Sequence, residues 1–475
     1  MTPDHEQLQQ DAHDHLLLHF SRNGAFGPDK KELLVLDRGE GPYVFDTKGR
    51  QYLDGLSSLF CSQIGYSHGE EMAAAAASQL TSLPFNTNWG TAHPAAIKLA
   101  TKLASLAPDG IEHAFFTSGG SESVETAWKL VRQYHLANGE PQRTKAIARH
   151  IAYHGVTLGA LSFTGVPGYK EPFGTPPIDV THVSNTNRFR RVGEGREFET
   201  DRDFTAFLLQ EMEDAIQAAG PETVAMIIAE PLQNAGGCLT PPEGYWPGLR
   251  EIADRHGILL VADEVITGMG RLGEFFGVTR FGGQPDLITI AKGLTSAYAS
   301  MGAVMVGEKV ASALHKPGVT LLHGITFGGH PVAASIALKN LEIFERDGVL
   351  ENVRAHEGYL RERMETLRAL PIVGDVRGAG YFWATELVKD GVEERFDADE
   401  REDLLRGFLP GKLLETGLIA RGDDRGDSVL QVAPPLISDK AVIDELVAKL
   451  HEVLTAAGEH MNVAASAPTT TAGVA

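Results

Sequence analysis

The sequence predicts an α/β fold with a mainly parallel central sheet covered by helices, plus a smaller α+β domain built from both termini. The middle of the chain predicts the sheet, because short apolar runs alternate there with amphipathic helical patterns. The flanks predict the smaller domain, because they carry short strand patterns and terminal helices without that alternation. The length of 475 residues agrees with this division, since a domain has roughly 150 residues.

The change of pattern along the chain sets the predicted domain boundaries. Residues 1–75 and 336–460 form the two parts of the small domain, and residues 76–335 form the large domain. Residues 461–475 are rich in Ala, Thr, Ser and Pro, which predicts a disordered tail. The flanks contain four predicted elements, which are strands at Tyr43–Phe45, Gly380–Thr385 and Val429–Val432 and a helix at Ser438–Ala457.

Five apolar runs predict the strands of the large domain. They are Glu112–Thr117, Lys145–His154, Thr223–Glu230, Gly257–Asp263 and Asp286–Ala291. Ligands of open α/β sheets bind beyond the carboxyl ends of the strands. The residues that end or follow these runs are therefore the candidates for function.

The first run is followed by ThrSerGlyGlySerGlu, residues 117–122, and then by a helical pattern. Glycines at such a strand-to-helix turn leave backbone N–H groups free to bind an anion at the positive end of the helix. Gly120 and Ser121 are therefore candidates for a phosphate site. A plain glycine-rich turn is the alternative interpretation.

The next three runs lead to one aromatic residue and two acidic residues. The second run leads to Tyr153, and a single aromatic residue there is more often part of the core than a ligand contact. The third run ends at Glu230 and the fourth at Asp263. Burying an unpaired carboxylate is strongly unfavourable, so two acids at the ligand side of one sheet favour a function over a structural ion pair.

The fifth run is followed by Lys292. Lysine is rarely buried without a role, and a desolvated lysine tends to lose its proton and become a nucleophile. An anion site, a flat aromatic ring, a carboxylate and such a lysine at one sheet edge match the needs of pyridoxal phosphate. The sequence therefore predicts this cofactor, with Lys292 as the lysine that forms the Schiff base.

The sequence supports neither of two common nucleotide-binding motifs. Gly268–Gly273 fits the GxGxxG pattern, but it does not follow its strand directly and lacks an acidic residue about 20 positions later. The P-loop pattern is absent from the sequence, because Gly411-Lys412 is followed by Leu413. We therefore expect neither a dinucleotide nor a nucleoside triphosphate as ligand.

The composition argues against several other classes of protein. With 42 Lys+Arg and 63 Asp+Glu the formal net charge is −21, which argues against nucleic acid or an anionic membrane as partner. No apolar run reaches the roughly 20 residues of a membrane helix, and the N-terminus lacks the pattern of a signal peptide. Cys61 and Cys238 lack metal-binding spacing, so we interpret both as buried, small apolar residues of a cytoplasmic protein.

Six stretches give the chain a resemblance to the class-III aminotransferases, pyridoxal-phosphate enzymes of the fold-type I group, over nearly its whole length. They are residues 117–122, 153–155, 230–237, 259–273, 291–293 and 326–331. The chain looks most similar to the branch that acts on omega-amino acids or on amines with pyruvate. The resemblance implies a transaminase with a small-molecule amine donor and an oxo-acid acceptor. It also implies a homodimer, with the pairing of dimers into tetramers left open.

The resemblance further implies a role for each cofactor contact. Lys292 would bind the cofactor and carry the proton between substrate and cofactor, and Asp263 would pair with the pyridine nitrogen. Tyr153 and Val265 would lie against the two faces of the ring. The phosphate would be bound by Gly120 and Ser121, and by Thr326 of the neighbouring subunit.

On the substrate side, the resemblance implies three residues. Phe60 would supply a bulky aromatic ring to the pocket. Arg421 would bind a carboxylate and move aside for amines without one, which suits the bidentate guanidinium group. Glu230 matches an acid that can pair with such an arginine in relatives acting on terminal amines.

The chain departs from the family pattern at several positions, which are Gly119, Ser123, Ile266, Ser300, Phe327 and Gly328. Ile266 stands where ornithine- and GABA-type relatives have Gln, which favours the amine:pyruvate branch. None of these positions is Lys292 or Asp263, so the chemistry is expected to be intact.

The leading hypothesis is a transaminase that works in two half-reactions, with pyruvate as the acceptor. An aminomutase, a racemase or a decarboxylase on the same cofactor frame is the alternative, and the sequence separates these poorly. A non-catalytic binding protein of this fold would be expected to lack the lysine, and Lys292 is present. The sequence does not identify the amine donor or the stereochemical preference.

Overall fold

The computed structural model describes residues 5–27, 30–191, 198 and 200–463. Its strands are β1 (Leu36–Glu40), β2 (Tyr43–Asp46), β3 (Gln51–Asp54), β4 (Ile111–Thr117), β5 (Lys145–Arg149), β6 (Asp179–Val183), β7 (Val224–Ala229), β8 (Leu259–Asp263), β9 (Leu287–Ile290), β10 (Gly302–Gly307), β11 (Val373–Ala379), β12 (Phe382–Leu387), β13 (Leu418–Ile419), β14 (Arg421–Asp423) and β15 (Val429–Val432).

The helices are interspersed among these strands along the chain. They are α1 (His5–His15), α2 (Ser57–Phe60), α3 (Gly69–Ser82), α4 (Pro94–Leu106), α5 (Gly120–Ala137), α6 (Leu158–Phe163), α7 (Arg188–Arg191), α8 (Asp201–Ala219), α9 (Tyr245–His256), α10 (Gly277–Arg280), α11 (Glu308–Leu314), α12 (Pro331–Arg346), α13 (Val349–Glu365), α14 (Ala398–Glu402), α15 (Leu409–Glu415) and α16 (Lys440–His460). In the described ranges, no helix is both long enough and apolar enough to cross a bilayer.

The central sheet has seven strands in the order β4-β10-β9-β8-β7-β5-β6. The neighbours from β9 to β6 pair in parallel, whereas β10 is antiparallel to both β4 and β9. The prediction of a mainly parallel sheet is therefore confirmed. All strands except β10 point the same way, so their carboxyl ends meet at one edge.

Both faces of this sheet are covered by helices, as the sequence predicts. Strand β8 shows how, since Leu260 and Ala262 belong to an apolar cluster with residues of α4, α8 and α9. Leu259 and Val261 belong to a second cluster with residues of α5. Successive side chains of a strand point to opposite faces, so a wholly apolar strand is buried on both sides.

The five predicted strands of the large domain are all present, but one was predicted too long. The run Lys145–His154 forms a strand only to Arg149. The chain then turns at Ile151, which has φ 55°, so Tyr153 and His154 lie in the loop beyond the strand. The sequence analysis missed β6 at one edge of the sheet and the antiparallel β10.

The small domain joins the two ends of the chain. Strand β13, from the C-terminal flank, pairs in parallel with β3, from the N-terminal flank. A second sheet has the order β11-β12-β15-β14. Apolar residues from both flanks, such as Leu53 and Leu446, share one buried cluster. The smaller α+β domain built from both termini is therefore confirmed.

The predicted boundaries after residues 75 and 335 fall inside helices. The first lies in α3 and the second in α12, whose buried residues contribute to the cores of both domains. These boundaries remain predictions. The predicted strand at Gly380–Thr385 begins two residues early, because Gly380 has φ 55° in the turn before β12. Of the predicted tail, residues 464–475 lie outside the described residues.

Candidate active site

A cavity of about 330 Å³ opens at the carboxyl edge of the central sheet. Its wall brings together residues that are far apart in the sequence. Seven predicted site residues line it, which are Gly120, Ser121, Tyr153, Glu230, Asp263, Val265 and Lys292. The converging ends of the parallel strands and the loops beyond them bring these residues together, as expected for an α/β sheet.

Lys292 follows β9 after a single residue and reaches into this cavity. Its backbone is in the left-handed region with φ 43°, which is uncommon for a residue with a Cβ atom. Burial lowers the pKa of its amino group, while the negative charge of Asp263 opposes that shift. The lysine therefore favours the neutral, nucleophilic form more than a lysine in water does.

Asp263 ends β8, and its carboxylate accepts three hydrogen bonds. Oδ1 accepts from the backbone N–H of Val265 at 3.1 Å and from Thr289 Oγ1 at 2.9 Å. Oδ2 lies 2.7 Å from Nδ1 of His154. Its side chain is 4% exposed, so these contacts compensate for burial of the carboxylate.

His154 and Thr289 are contacts that the sequence analysis did not assign. Thr289 is the polar residue inside the apolar strand β9, and that interruption was the available signal. The second ring nitrogen of His154, Nε2, is buried and has no hydrogen-bond partner in the described part of the chain. Nδ1 is therefore the ring nitrogen through which His154 contacts the carboxylate of Asp263.

The carboxylate of Glu230 is also held in place. Its Oε1 accepts from the backbone N–H of Tyr153 at 3.3 Å, and its Oε2 accepts from the backbone N–H of Asn234 at 2.9 Å. Burial raises the pKa of this carboxyl group, and His154 and Arg149 partly oppose the shift. Among the described residues it forms no ion pair with Arg421, so the suggested pairing is not present here.

Helix α5 begins at Gly120 and points its N-terminus at the cavity. The residue before it, Gly119, supplies no side-chain cap, so the first N–H groups of this 18-residue helix remain available to an anion. A Cβ atom on Gly120 would lie 2.9 Å from Val265 Cγ1, which explains the glycine. The hydroxyl of Ser121 accepts from the backbone N–H of Val156 at 3.1 Å.

Tyr153 and Val265 lie on the cavity wall. Burial raises the pKa of the Tyr153 phenol, and the positive charge of Arg425 opposes the shift. The guanidinium carbon of Arg425 lies 5.6 Å from the centre of the Tyr153 ring. Arg425 is itself held by an ion pair with Asp423 in the same hairpin.

Arg421 begins β14 but does not line the cavity. Its guanidinium group has no hydrogen bond or ion pair to any residue that the structure describes, because Asp423 pairs with Arg425 instead. Burial and the nearby Arg425 lower the pKa of Arg421. An arginine that is largely enclosed and unpaired beside the cavity is suited to bind a carboxylate.

Phe60 lies in a buried apolar cluster. Its ring is buried against Phe382, with 5.3 Å between the ring centres, and it does not line the cavity. The next residue, Cys61, does line the cavity and is only half-buried. The interpretation of Cys61 as a buried core residue was therefore wrong, whereas Cys238 is buried as expected.

Thr326 is exposed and does not line the cavity of its own chain. It lies in a surface region with large exposed apolar side chains. Trp89 is 63% exposed, Phe327 60% and Leu322 89%. In the described parts of the chain, no group of three or more His, Cys, Asp or Glu side chains is placed to hold a metal ion.

Comparison with known proteins identifies the class of protein. Residues 26–454 match the class-III aminotransferase family, so the chain belongs to that family and is an aminotransferase. The family prediction is confirmed. Class-III aminotransferases depend on pyridoxal phosphate, and the predicted cofactor is confirmed with it.

Individual relatives and solved structures are similar over most of the chain. A probable aminotransferase of Mycobacterium tuberculosis is 46% identical over 445 residues, which are 93% of each chain. The putrescine–pyruvate aminotransferase of Pseudomonas aeruginosa is 39% identical over 88% of this chain and 90% of its own. The structure of a thermostable (S)-enantioselective omega-transaminase from Thermomicrobium roseum superposes with a TM-score of 0.88, at 40% identity over 95% of this chain and 98% of its own.

Proposed function

We propose that this aminotransferase moves an amino group from a primary amine or an omega-amino acid to an oxo acid, with pyruvate as the preferred acceptor. The observation that carries the proposal is the cavity in which Lys292, Asp263 and the N-terminus of α5 converge, with the unpaired Arg421 beside it. The similarity to a putrescine–pyruvate aminotransferase supports an amine donor and pyruvate as acceptor, and the similarity to an omega-transaminase supports the same type of reaction.

The residues of the cavity fit pyridoxal phosphate. The N–H groups of Gly120 and Ser121 form an anion site, and the carboxylate of Asp263 provides a fixed negative charge. In our proposal they bind the phosphate and the protonated pyridine nitrogen, with Tyr153 and Val265 against the ring faces. When bound, the cofactor supplies a ring that accepts the electrons released when the C–H bond of the amine breaks.

Lys292 has two tasks in this proposal. Its neutral Nζ would hold the cofactor when no substrate is present. With a donor amine bound, the free Nζ would take the proton from the donor carbon and return it within the cavity. Burial lowers the pKa of Lys292, which favours the neutral amine that both tasks require.

Over the two half-reactions the amino group of the donor and the carbonyl oxygen of the acceptor change places, so oxidation of the donor is matched by reduction of the acceptor. The donor amine leaves as an aldehyde or a ketone, while its amino group stays in the cavity. Pyruvate then takes that amino group and leaves as alanine. Arg421 binds the carboxylate of pyruvate and of alanine, and it stays unpaired while a donor without a carboxylate is bound.

We also propose that the active unit is a homodimer in which Thr326 reaches the phosphate site of the other subunit. Thr326 is exposed in the single chain, and a groove of about 280 Å³ runs between Trp89 and Ile325 beside it. The exposed side chains of Trp89 and Phe327 are apolar surface that a second copy would cover. Free Cys61 and Cys238 support a reducing compartment.

A donor and acceptor screen of the purified holoenzyme tests the function. We expect consumption of pyruvate and formation of alanine with terminal amines or omega-amino acids, with ping-pong kinetics. A parallel reaction without any oxo acid identifies a mutase, racemase or decarboxylase, since these turn over without an acceptor. Absence of amino transfer across a broad amine panel would reject the proposal.

A further inference from the structure

The segment that follows β9 carries Lys292 in an unusual backbone conformation. Three of its residues have positive φ, with 43° at Lys292, 46° at Ser296 and 65° at Ala297. Residues with a Cβ atom adopt this region rarely, and they stay in it only where the surrounding structure holds them. Some contact must therefore fix this turn.

Asn340 of α12 supplies such a contact. Its Nδ2 donates to the backbone carbonyl oxygens of Gly293 at 3.0 Å and Leu294 at 3.1 Å. Its Oδ1 accepts from the hydroxyl of Ser296 at 2.7 Å. One fully buried amide therefore binds the two residues directly after Lys292 and also the second residue with positive φ.

The backbone next to the lysine has no room to relax. A Cβ atom on Gly293 would lie 2.2 Å from Gln63 Nε2 and 2.9 Å from Met269 Cβ. The turn is thus packed against Gln63 and Met269 and hydrogen-bonded to Asn340. Asparagine has a low helix propensity and is costly to bury, so its place inside α12 is explained by these three hydrogen bonds.

We propose that Asn340 is a positioning residue for the aminotransferase reaction, because it fixes the turn that directs Lys292 into the cavity. Asn340 acts through the carbonyls of Gly293 and Leu294 and has no role in binding substrate. The proposal rests on the assignment of Lys292 made above.

Asn352 provides a matched control. It lies on α13 of the small domain, and its Nδ2 donates to the carbonyl oxygens of Leu436 at 2.7 Å and Ser438 at 3.0 Å. Asn352→Leu therefore removes a side-chain amide that donates to two backbone carbonyls, at a site without contact to the turn that carries Lys292. Asn340→Leu removes the amide that binds this turn. Asn340→Asp keeps an acceptor for Ser296 but replaces the donor to the two carbonyls.

The experiment measures two rates and the melting temperature for each variant. The first rate is covalent attachment of pyridoxal phosphate to the apoenzyme, trapped with cyanoborohydride and located by peptide mass mapping. The second is the half-reaction of the holoenzyme with an amine in a single turnover. Misplacing a reacting group by about 1 Å can cost about 100-fold, so both Asn340 variants should be about 10- to 100-fold slower in both rates. Asn352→Leu should lower the melting temperature and leave both rates within about twofold of wild type.

The outcomes separate this proposal from the proposed function. Equal rates in Asn340→Leu and Asn352→Leu, with the label on Lys292 in both, would overturn the positioning role alone. A label on another side chain of the wild type would reject the assignment of Lys292 itself. If Asn340→Leu does not fold, Ser296→Ala shows whether the contact from Asn340 to Ser296 matters. The Asn340→Asp variant then tests the carbonyl contacts, because unchanged attachment kinetics in Asn340→Asp would contradict the proposal.

Discussion

The proposed cofactor end of the cavity and the proposed substrate end, which Arg421 marks from beside the cavity, are held differently. At the cofactor end, Asp263 accepts three hydrogen bonds and Glu230 accepts two from the backbone. At the substrate end, Arg421 has no hydrogen bond or ion pair within the described chain, since its neighbour Asp423 is taken by Arg425. The hydrogen-bonded carboxylates of Asp263 and Glu230, together with Lys292, form what we call the fixed end, which suits a cofactor that stays bound. The unpaired guanidinium group of Arg421 suits two substrates that bind in turn, because only one of them must carry a carboxylate.

The largest loss of activity is expected when Lys292 is removed from the fixed end. Lys292→Ala should slow turnover by about 10⁴-fold, because it removes both the covalent contact and the proton carrier. Steady-state assays together with the absorbance of the bound cofactor measure this. The exposed Lys309 offers a control, and Lys309→Ala should retain wild-type activity. An unchanged spectrum in Lys292→Ala would contradict the assignment.

The next largest effect is expected at the fixed carboxylate. Asp263→Asn keeps the size of the side chain but removes its charge, so the ring nitrogen loses its counter-ion. Turnover should fall by about 10²- to 10³-fold, comparable with the loss of another preorganised electrostatic contact. Single-turnover rates of the amine half-reaction, with cofactor content measured in parallel, test this. If Asp263→Asn retained the cofactor and reacted at the wild-type rate, the proposed role of Asp263 as counter-ion of the ring nitrogen would be wrong.

Arg421 tests the substrate end. Arg421→Leu should raise the KM for pyruvate by about 10- to 100-fold, as expected for losing a charged hydrogen-bonded pair. The half-reaction with an amine that has no carboxylate should change little. Arg421→Lys should raise the KM for pyruvate less than Arg421→Leu does, because an ammonium group keeps the charge but lacks the bidentate geometry. Equal losses with both substrates would show that Arg421 is structural.

The smallest effect is expected in the pH dependence of cofactor attachment to Lys292. The pKa of Lys292 is lowered by burial, and the charge of Glu230 is among the influences that raise it. Attachment of the cofactor needs the neutral amine, so its rate rises with pH through the pKa of Lys292, and the midpoint should lie below 10.5. Glu230→Gln should move that midpoint to lower pH. A midpoint that moves upward would contradict this electrostatic coupling.

The sequence analysis succeeded where a residue ends an apolar run. Asp263 and Lys292 could be found because an ionisable residue beside a buried strand is an unusual signal. It could not foresee where the Phe60 ring packs, because nothing in the pattern of α2 shows that the backbone has positive φ at Ser57, Ser58 and Phe60. Those angles accompany a ring that packs against Phe382 and leave Cys61 on the cavity wall.

The order of apolar runs and turns determined the fold class, the edge of the sheet that holds the site and the residues that meet there, because strand period and strand direction are local properties. The tertiary structure decided how those residues are held. His154 binds Asp263, which lies 109 positions away in the sequence. Asn340 binds Gly293, which directly follows Lys292 and lies 47 positions away. Such hydrogen bonds depend on how distant elements pack together, and no local pattern encodes that packing.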